Sequence, residues 1–148
     1  MSFIENRIKW RASQHDLPNK RVFLFEGLDK KTKAKYLSQI NLQDTGEIVL
    51  LFTDRKRNWT VLGTKMIVGY DGVQLNSVAF NVIKKSTSKN FYELGFTLHK
   101  KRKSFRKKDE CELLIFDEND NEIIFITSKG SDFFALASIV LMLERLNE

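Results

Sequence analysis

The sequence predicts one α+β domain in which antiparallel strands form the central part and helices lie at both ends. From Glu47 onward, apolar runs of five to eight residues recur between polar turns, a pattern typical of consecutive strands. The last apolar run, after Ser131, is apolar nearly all round, which indicates a core helix. With 148 residues, 42% of them hydrophobic, the chain is long enough to bury a core of its own.

The composition excludes several classes of protein. The single cysteine, Cys111, excludes a disulfide framework and any metal site made of cysteines alone. No apolar run reaches the roughly 18 residues that a membrane-spanning helix needs, and no charged-then-apolar leader opens the chain. We therefore expect a globular protein located in the cytoplasm.

Residues 1–45 read as a helical extension packed on the same domain. Ser2 and Glu5 have the spacing of a capping box, which predicts a helix over residues 3–13. The apolar run Arg21–Phe25 suits a short strand. Asp29 can cap a second helix, which we expect to end near Asn41.

Residues 46–148 carry the pattern of seven sequential strands and a final helix. Asp71 and Gly72 form the strongest hairpin signal in the chain. The predicted strands are Ile48–Phe52, Trp59–Leu62, Met66–Tyr70, a bent strand made of Val73–Leu75 and Val78–Ile83, Phe91–Leu98, Leu113–Phe116 and Ile123–Ile126.

Ser131 can cap the final helix, which we expect to run to about Leu146. Its length of roughly 24 Å is too short to cross a bilayer. Because one sheet can cover only one face of a helix, something else must cover the other face. The candidates are the N-terminal helices or a second copy of the chain, so a homodimer through this helix is possible.

The stretch from Trp59 to Gly72, WTVLGTKMIVGYDG, resembles the strand–turn–strand signature of bacterial pleckstrin-homology-like (PH-like) domains. The segment from Leu42 to Glu47 is similar to the entry into the first strand of that family. The resemblance covers about residues 46–148. It implies a seven-stranded antiparallel sandwich or barrel capped by a C-terminal helix, and a non-catalytic binding module without a cofactor.

Positive charge is concentrated between residues 84 and 108, which include ten basic residues and one acidic residue. The rest of the chain has a net charge of −3, so the basic character is local. A concentrated positive field attracts acidic partners. We predict a binding surface on a hairpin at residues 99–108. Its candidate residues are Lys100, Lys101, Arg102, Lys103, Phe105, Arg106, Lys107 and Lys108.

A second candidate surface is the loop that contains Arg55, Lys56 and Arg57. In the lipid-binding members of the family that the chain resembles, basic residues surround the loop between the first two strands. The lysine that those members carry on the first strand has no counterpart here, because Ile48–Phe52 is entirely apolar.

The sequence gives little support to an enzyme. The two histidines, His15 and His99, lie beside neither a cysteine nor a spaced pair of acids, so we expect no metal. Gly63-Thr64-Lys65 lacks the first glycine and the Gly-Lys pair of a phosphate-binding loop. Cys111 opens an apolar strand and is expected to be buried rather than nucleophilic.

These observations predict a module that recognises a protein partner, which the positive charge suggests is acidic. Two alternatives remain open at this point. The basic 99–108 hairpin could bind nucleic acid or anionic lipid, with Phe105 stacking on a base. The chain could also be an inhibitor of the immunity-protein type, which neutralises a toxin.

Overall fold

The computed structural model describes residues 2–96 and 107–146. In this part of the chain, eight strands form two antiparallel sheets, and five helices accompany them. The strands are β1 (Val22–Leu24), β2 (Ile48–Thr53), β3 (Trp59–Gly63), β4 (Met66–Tyr70), β5 (Leu75–Ala79), β6 (Ile83–Ser88), β7 (Glu112–Asp117) and β8 (Glu122–Ile126). The helices are α1 (Phe3–Gln14), α2 (Lys30–Leu37), α3 (Leu42–Thr45), α4 (Lys89–Phe96) and α5 (Ser131–Leu146).

The first sheet contains five strands in the order β1-β2-β3-β4-β5. Strand β1, expected within residues 21–25, pairs with β2 and places Val22 opposite Phe52. With β2–β8 it makes eight strands in the described residues. Strands β2 and β3 are buried on both faces, because α2 packs Tyr36 edge-on against Trp59 on one side while the main core covers the other.

The second sheet contains three strands in the order β6-β7-β8. The two sheets are hydrogen-bonded separately, so the described strands do not close into a barrel. Side chains join them instead. The hydroxyl of Thr60 donates to the carbonyl of Ile126 at 2.8 Å, and the amide of Asn76 donates to the carbonyl of Ile124 at 3.0 Å.

The predicted fourth strand is in fact two strands that belong to different sheets. A 3₁₀ turn at Phe80–Val82 separates β5 from β6. Phe80 is 2% exposed, and its burial at the corner turns the chain from one sheet to the other. The apolar run Val78–Ile83 therefore marks a corner rather than a bend within one strand.

The predicted strand Phe91–Leu98 is wrong, because residues Lys89–Phe96 form helix α4. The hydroxyl of Ser88 accepts a hydrogen bond from the backbone N–H of Phe91 at 3.0 Å, which is the bond of a helix N-cap. Tyr92 then packs against Phe116 with ring centroids 5.2 Å apart. Packing on β7 and the serine cap together favour a helix over an extended chain.

The helix expected to end near Asn41 stops at Leu37. The Asn41 side chain accepts a hydrogen bond from the N–H of Gln43 and so caps the separate short helix α3. Asn is a favoured cap because its side-chain oxygen replaces a missing backbone acceptor. Asn41, near which the second helix was expected to end, is therefore the N-cap of α3.

Helices α1 and α5 have the expected positions, and they pack against each other. Ser2 caps α1 by accepting the N–H of Glu5 at 3.1 Å. Ile8 and Ala12 of α1 are buried in the same cluster as Leu136 and Ile139 of α5. Since β6 and β7 contact α5 as well, the N-terminal helix supplies the second covering that the apolar sequence of α5 requires.

Candidate functional site

A cavity of about 830 Å³ lies where the ends of several strands meet. Four separate segments line it: residues 20–21 before β1, residues 54–58 between β2 and β3, residues 111–112 where β7 begins, and residues 126–129 from the last residue of β8 onward. Its volume falls within the range of about 300–1,000 Å³ that is usual for ligand pockets. We call this cavity the basic groove, because five basic side chains line it: Lys20, Arg21, Arg55, Lys56 and Lys129.

The β2–β3 turn presents Arg55 and Lys56 through bonds made by Asp54. One oxygen of the Asp54 carboxylate accepts the N–H groups of Lys56 at 2.8 Å and Asn58 at 2.9 Å. The other oxygen accepts the side-chain amide of Asn58 at 2.9 Å. The turn therefore uses both Asp54 oxygens internally, while the basic side chains stay exposed.

Lys20 and Arg21 are held beside that turn by Asn19 and Thr53. The side-chain oxygen of Asn19 accepts the N–H of Arg21 at 2.9 Å. The carbonyl of Arg21 accepts both the N–H of Thr53 at 2.9 Å and its hydroxyl at 2.7 Å. These bonds fix the backbone of the segment to the end of β2 and bring its two cations to the groove.

Backbone hydrogen bonds also hold the segment that contains Lys129 against residues 110–111. The N–H of Thr127 donates to the carbonyl of Cys111, and the N–H of Gly130 donates to the carbonyl of Glu110, both at 2.9 Å. Gly130 has a φ of +85°, a conformation that favours glycine over residues with a side chain. Lys129 itself is exposed at the rim.

Asp132 forms hydrogen bonds to two of the segments that carry the walls of the groove. It is 6% exposed at the start of α5, where its carboxylate accepts the side-chain amide of Asn19 at 2.7 Å. The hydroxyl of Ser128 donates to its other oxygen. The segments that carry Arg21 and Lys129 are therefore fastened to one buried carboxylate.

The charge balance of the groove is strongly positive. The described residues of its lining include five basic and two acidic side chains, and the Asp54 carboxylate is hydrogen-bonded within its own turn. The other acid, Glu112, lies 3.5 Å from the ammonium of Lys89. Among the described residues, none of the five basic side chains forms an ion pair.

Cys111 is the one titratable thiol of the chain, and it lines the groove half-buried. Burial raises the pKa of the Cys111 thiol, and the neighbouring carboxylate of Glu112 raises it further, while Lys129 opposes them. A raised pKa keeps the sulfur protonated at neutral pH, which is the opposite of what a nucleophilic thiolate requires.

Glu110 is a buried carboxylate that the sequence analysis did not single out. It is 1% exposed and accepts hydrogen bonds from the Ser88 hydroxyl and, at 3.1 Å, from the side-chain amide of Asn90. Burial raises the pKa of Glu110, and the nearby charges of Glu112 and Asp109 raise it further. It fastens the beginning of α4 to the strand whose first residues line the groove.

The predicted site residues fall in different places. Arg55 and Lys56 line the basic groove, and Arg57 is exposed in the same turn with a φ of +70°. Lys107 and Lys108 belong to a 3₁₀ turn at Lys107–Asp109, and the backbone of Lys108 packs beside Gly130. The remaining members of the predicted hairpin, Lys100, Lys101, Arg102, Lys103, Phe105 and Arg106, lie outside the described residues.

Lys20, Arg21 and Lys129 were missed because each stands apart from the charge clusters along the sequence. The antiparallel pairing of β1 with β2 could have predicted the positions of Lys20 and Arg21. Residues just before β1 and just after β2 must lie together when these strands pair, and β3 lies beside the end of β8. Only the joining of the two sheets brings residue 129 to residue 55.

Neither a metal site nor a membrane span is found in the described ranges. Residues 2–96 and 107–146 contain no group of three or more His, Cys, Asp or Glu residues that could hold a metal ion. No helix in these ranges is long and apolar enough to cross a bilayer.

No protein-family model matches the chain, and a search of curated proteins likewise gave no match.

Proposed function

We propose that this chain is a non-catalytic PH-like binding module that recognises an acidic segment of a protein partner in the basic groove. Two antiparallel sheets followed by a C-terminal helix support the PH-like assignment. The position of Arg55 and Lys56 in the turn between β2 and β3 also agrees with it, because that turn corresponds to the basic loop of the family.

The observation that carries the proposal is a group of five basic side chains in one concave site that form no ion pair with any described residue. Like charges held together repel one another, and an anionic ligand relieves that repulsion. Both acids of the lining already have other partners. The free charge of the groove is therefore available to a ligand rather than consumed inside the protein.

The lining favours a peptide over a nucleic acid. Among the described residues, those that line the groove include no aromatic side chain on which a base could stack. Ile126 and Cys111 instead provide an apolar floor between the cations. A short acidic segment of a protein therefore suits this lining better than a nucleic acid does.

The same lining argues for binding without catalysis. Asp54 is engaged by its turn, Glu112 by Lys89, and the thiol of Cys111 has a raised pKa. The groove therefore offers neither a free general base nor an activated nucleophile among its described residues.

The test measures binding of a fluorescein-labelled octaglutamate peptide by fluorescence anisotropy at low ionic strength. Wild type is compared with a groove variant that carries Arg55→Gln, Lys56→Gln and Lys129→Gln, three exposed positions whose side chains form no hydrogen bond or ion pair with residues 2–96 or 107–146. We expect the variant to bind the peptide about tenfold more weakly or worse, since each charge contributes a fraction of 1 kcal/mol up to about 1 kcal/mol.

The matched control removes the same charge elsewhere, with Lys30→Gln, Lys31→Gln and Lys65→Gln at exposed positions outside the groove. It should bind the peptide as wild type does. An equal loss of peptide affinity in both variants would show that net charge alone determines binding, and would contradict the proposal. Groove-dependent binding to phosphatidylserine vesicles or to a single-stranded oligonucleotide, with no binding to the peptide, would assign the groove to those ligands instead.

A further inference from the structure

The hairpin that joins β7 to β8 ends in a strongly acidic turn. Residues 117–122 contain Asp117, Glu118, Asp120 and Glu122. Asp117 organises the turn, because its carboxylate accepts the N–H groups of Asn119 and Asn121 at 2.9 Å and the side-chain amide of Asn121 at 3.0 Å. We call residues 117–122 the acidic turn.

The charges of the acidic turn point to solvent. Glu118 and Glu122 are exposed, and neither forms an ion pair within the described ranges. Asp120 lies 2.7 Å from the ammonium of Lys84, yet its side chain is 70% exposed. With Lys84 counted, the acidic turn has a net charge of −3, and the described lining of the basic groove has a net charge of +3.

The acidic turn and the basic groove lie at opposite ends of the same hairpin. At the groove end Glu112 faces Ile126, and at the turn end Phe116 faces Glu122. Four to five residue steps of about 3.4 Å separate the two ends, a distance of roughly 15 Å along the strands. The turn therefore cannot enter its own groove, although a second copy of the chain can present its turn to it.

We propose that the basic groove binds the acidic turn of a second copy of this chain, in a head-to-tail contact. This inference rests on the proposed function, for which it names the acidic segment. The ligand is a preformed turn, so binding does not have to order a disordered peptide. Because different surfaces of the two copies meet, the contact continues from copy to copy and builds rings or open chains.

The contact is electrostatic and depends on ionic strength. Salt near 1 M reduces the Debye length to about 3 Å and screens charges at an exposed rim. We therefore expect the weight-average mass to rise above 17.3 kDa with protein concentration in low salt, and to return to 17.3 kDa in high salt.

Sedimentation equilibrium of charge-reversal variants tests the inference. The turn variant carries Glu118→Lys and Glu122→Lys, and the groove variant carries Arg55→Glu and Lys56→Glu. Each variant alone should stay at 17.3 kDa in low salt. An equimolar mixture should associate again, since the unchanged turn of one fits the unchanged groove of the other, and the reversed pair is complementary as well.

Two controls identify the surface. A variant with Asp44→Lys and Glu47→Lys, two exposed acids outside the acidic turn, should associate as wild type does. Leu141→Ser on the exposed side of α5 should also leave association unchanged. Association that Leu141→Ser abolishes would place the contact on α5 and overturn the inference.

A wild type that stays at 17.3 kDa at every concentration in low salt overturns the inference, as does a mixture of the two variants that fails to associate. The octaglutamate measurement separates this failure from that of the proposed function. Peptide binding without self-association rejects the second copy as the ligand and keeps the groove as an acidic-segment site. If neither occurs, both proposals fall.

Discussion

At the scale of single residues, the buried carboxylate of Glu110 shows that one ionisable group can lower the stability of a fold. A carboxylate that is 1% exposed loses its hydration, and two hydrogen bonds recover only part of that free energy. Asp109 and Glu112 add negative charge beside it, and Lys89 faces Glu112 rather than Glu110. Packing and hydrogen bonds therefore hold Glu110 in a site that disfavours its ionised form, so its effect on the free energy of unfolding depends on pH.

The sign of that dependence follows from the raised pKa of Glu110. The native state binds the proton more tightly than the unfolded chain, so this residue contributes stability at pH values below the ordinary carboxyl pKa. The contribution is lost as pH rises through the raised native pKa. Above the raised native pKa, Glu110 no longer contributes this stability.

We expect Glu110→Gln to raise the free energy of unfolding relative to wild type at about pH 7, and to show a smaller gain at about pH 4. The glutamine keeps one of the two acceptor oxygens, and its NH2 group can donate to the Ser88 hydroxyl oxygen, while the charge is removed. Urea denaturation of both proteins at the two pH values measures the difference. A gain that is equal at both pH values would show that the Glu110 charge is not the cause.

At the scale of elements, the first turn of α5 joins parts of the chain that are distant in sequence. Asp132 receives hydrogen bonds from Asn19, 113 residues away, and from Ser128 in the preceding loop. A carboxylate in the first turn of a helix also interacts favourably with the helix dipole. The same residue therefore stabilises α5 and holds two walls of the basic groove.

We expect Asp132→Ala to lower the free energy of unfolding by about 1–3 kcal/mol, because two part-buried hydrogen bonds to a charged acceptor are lost. Since Arg21 and Lys129 lose their common support, affinity for the octaglutamate peptide should also fall. Asp132→Asn keeps one acceptor and should recover part of both losses. Unchanged peptide affinity in a folded Asp132→Ala protein would show that the groove walls hold without this residue.

At the scale of the whole molecule, the packing of the two sheets against each other determines how the walls of the groove are arranged. Gly69 of β4 lies where β8 crosses the first sheet. A Cβ at this position would stand 2.9 Å from a ring carbon of Phe125 and 3.0 Å from the carbonyl oxygen of Trp59. The sheets can approach this closely only because residue 69 has no side chain.

We expect Gly69→Ala to destabilise the protein by about 1–3 kcal/mol, the usual cost of overpacking a core. Both the Phe125 ring and the backbone of β3 would have to move. Thermal unfolding followed by circular dichroism measures the loss, with Gly27→Ala as the control, since a Cβ there meets no atom within 4 Å. Equal melting temperatures for Gly69→Ala and wild type would contradict this account of the joint.

Local sequence signals determined most of the elements. The capping pair at Ser2, the hairpin signal at Asp71 and the long apolar run after Ser131 each produced the element they predict. These signals act over one or two turns of chain, so they can be read without the rest of the molecule. The error at residues 91–98 arose because apolar spacing there fits a strand about as well as a helix, and the cap at Ser88 and contact with Phe116 decide between them.

The sequence by itself determined the α+β class, most of the strands, the C-terminal core helix and the exposed cations at Arg55 and Lys56. The tertiary structure alone decided that β1 joins the first sheet, that β5 and β6 belong to different sheets, and that Lys20, Arg21 and Lys129 meet the β2–β3 turn. The physical reason is the range of the interactions. Periodicity and capping are local, whereas the basic groove exists only where strand ends far apart in sequence are brought together by the two sheets.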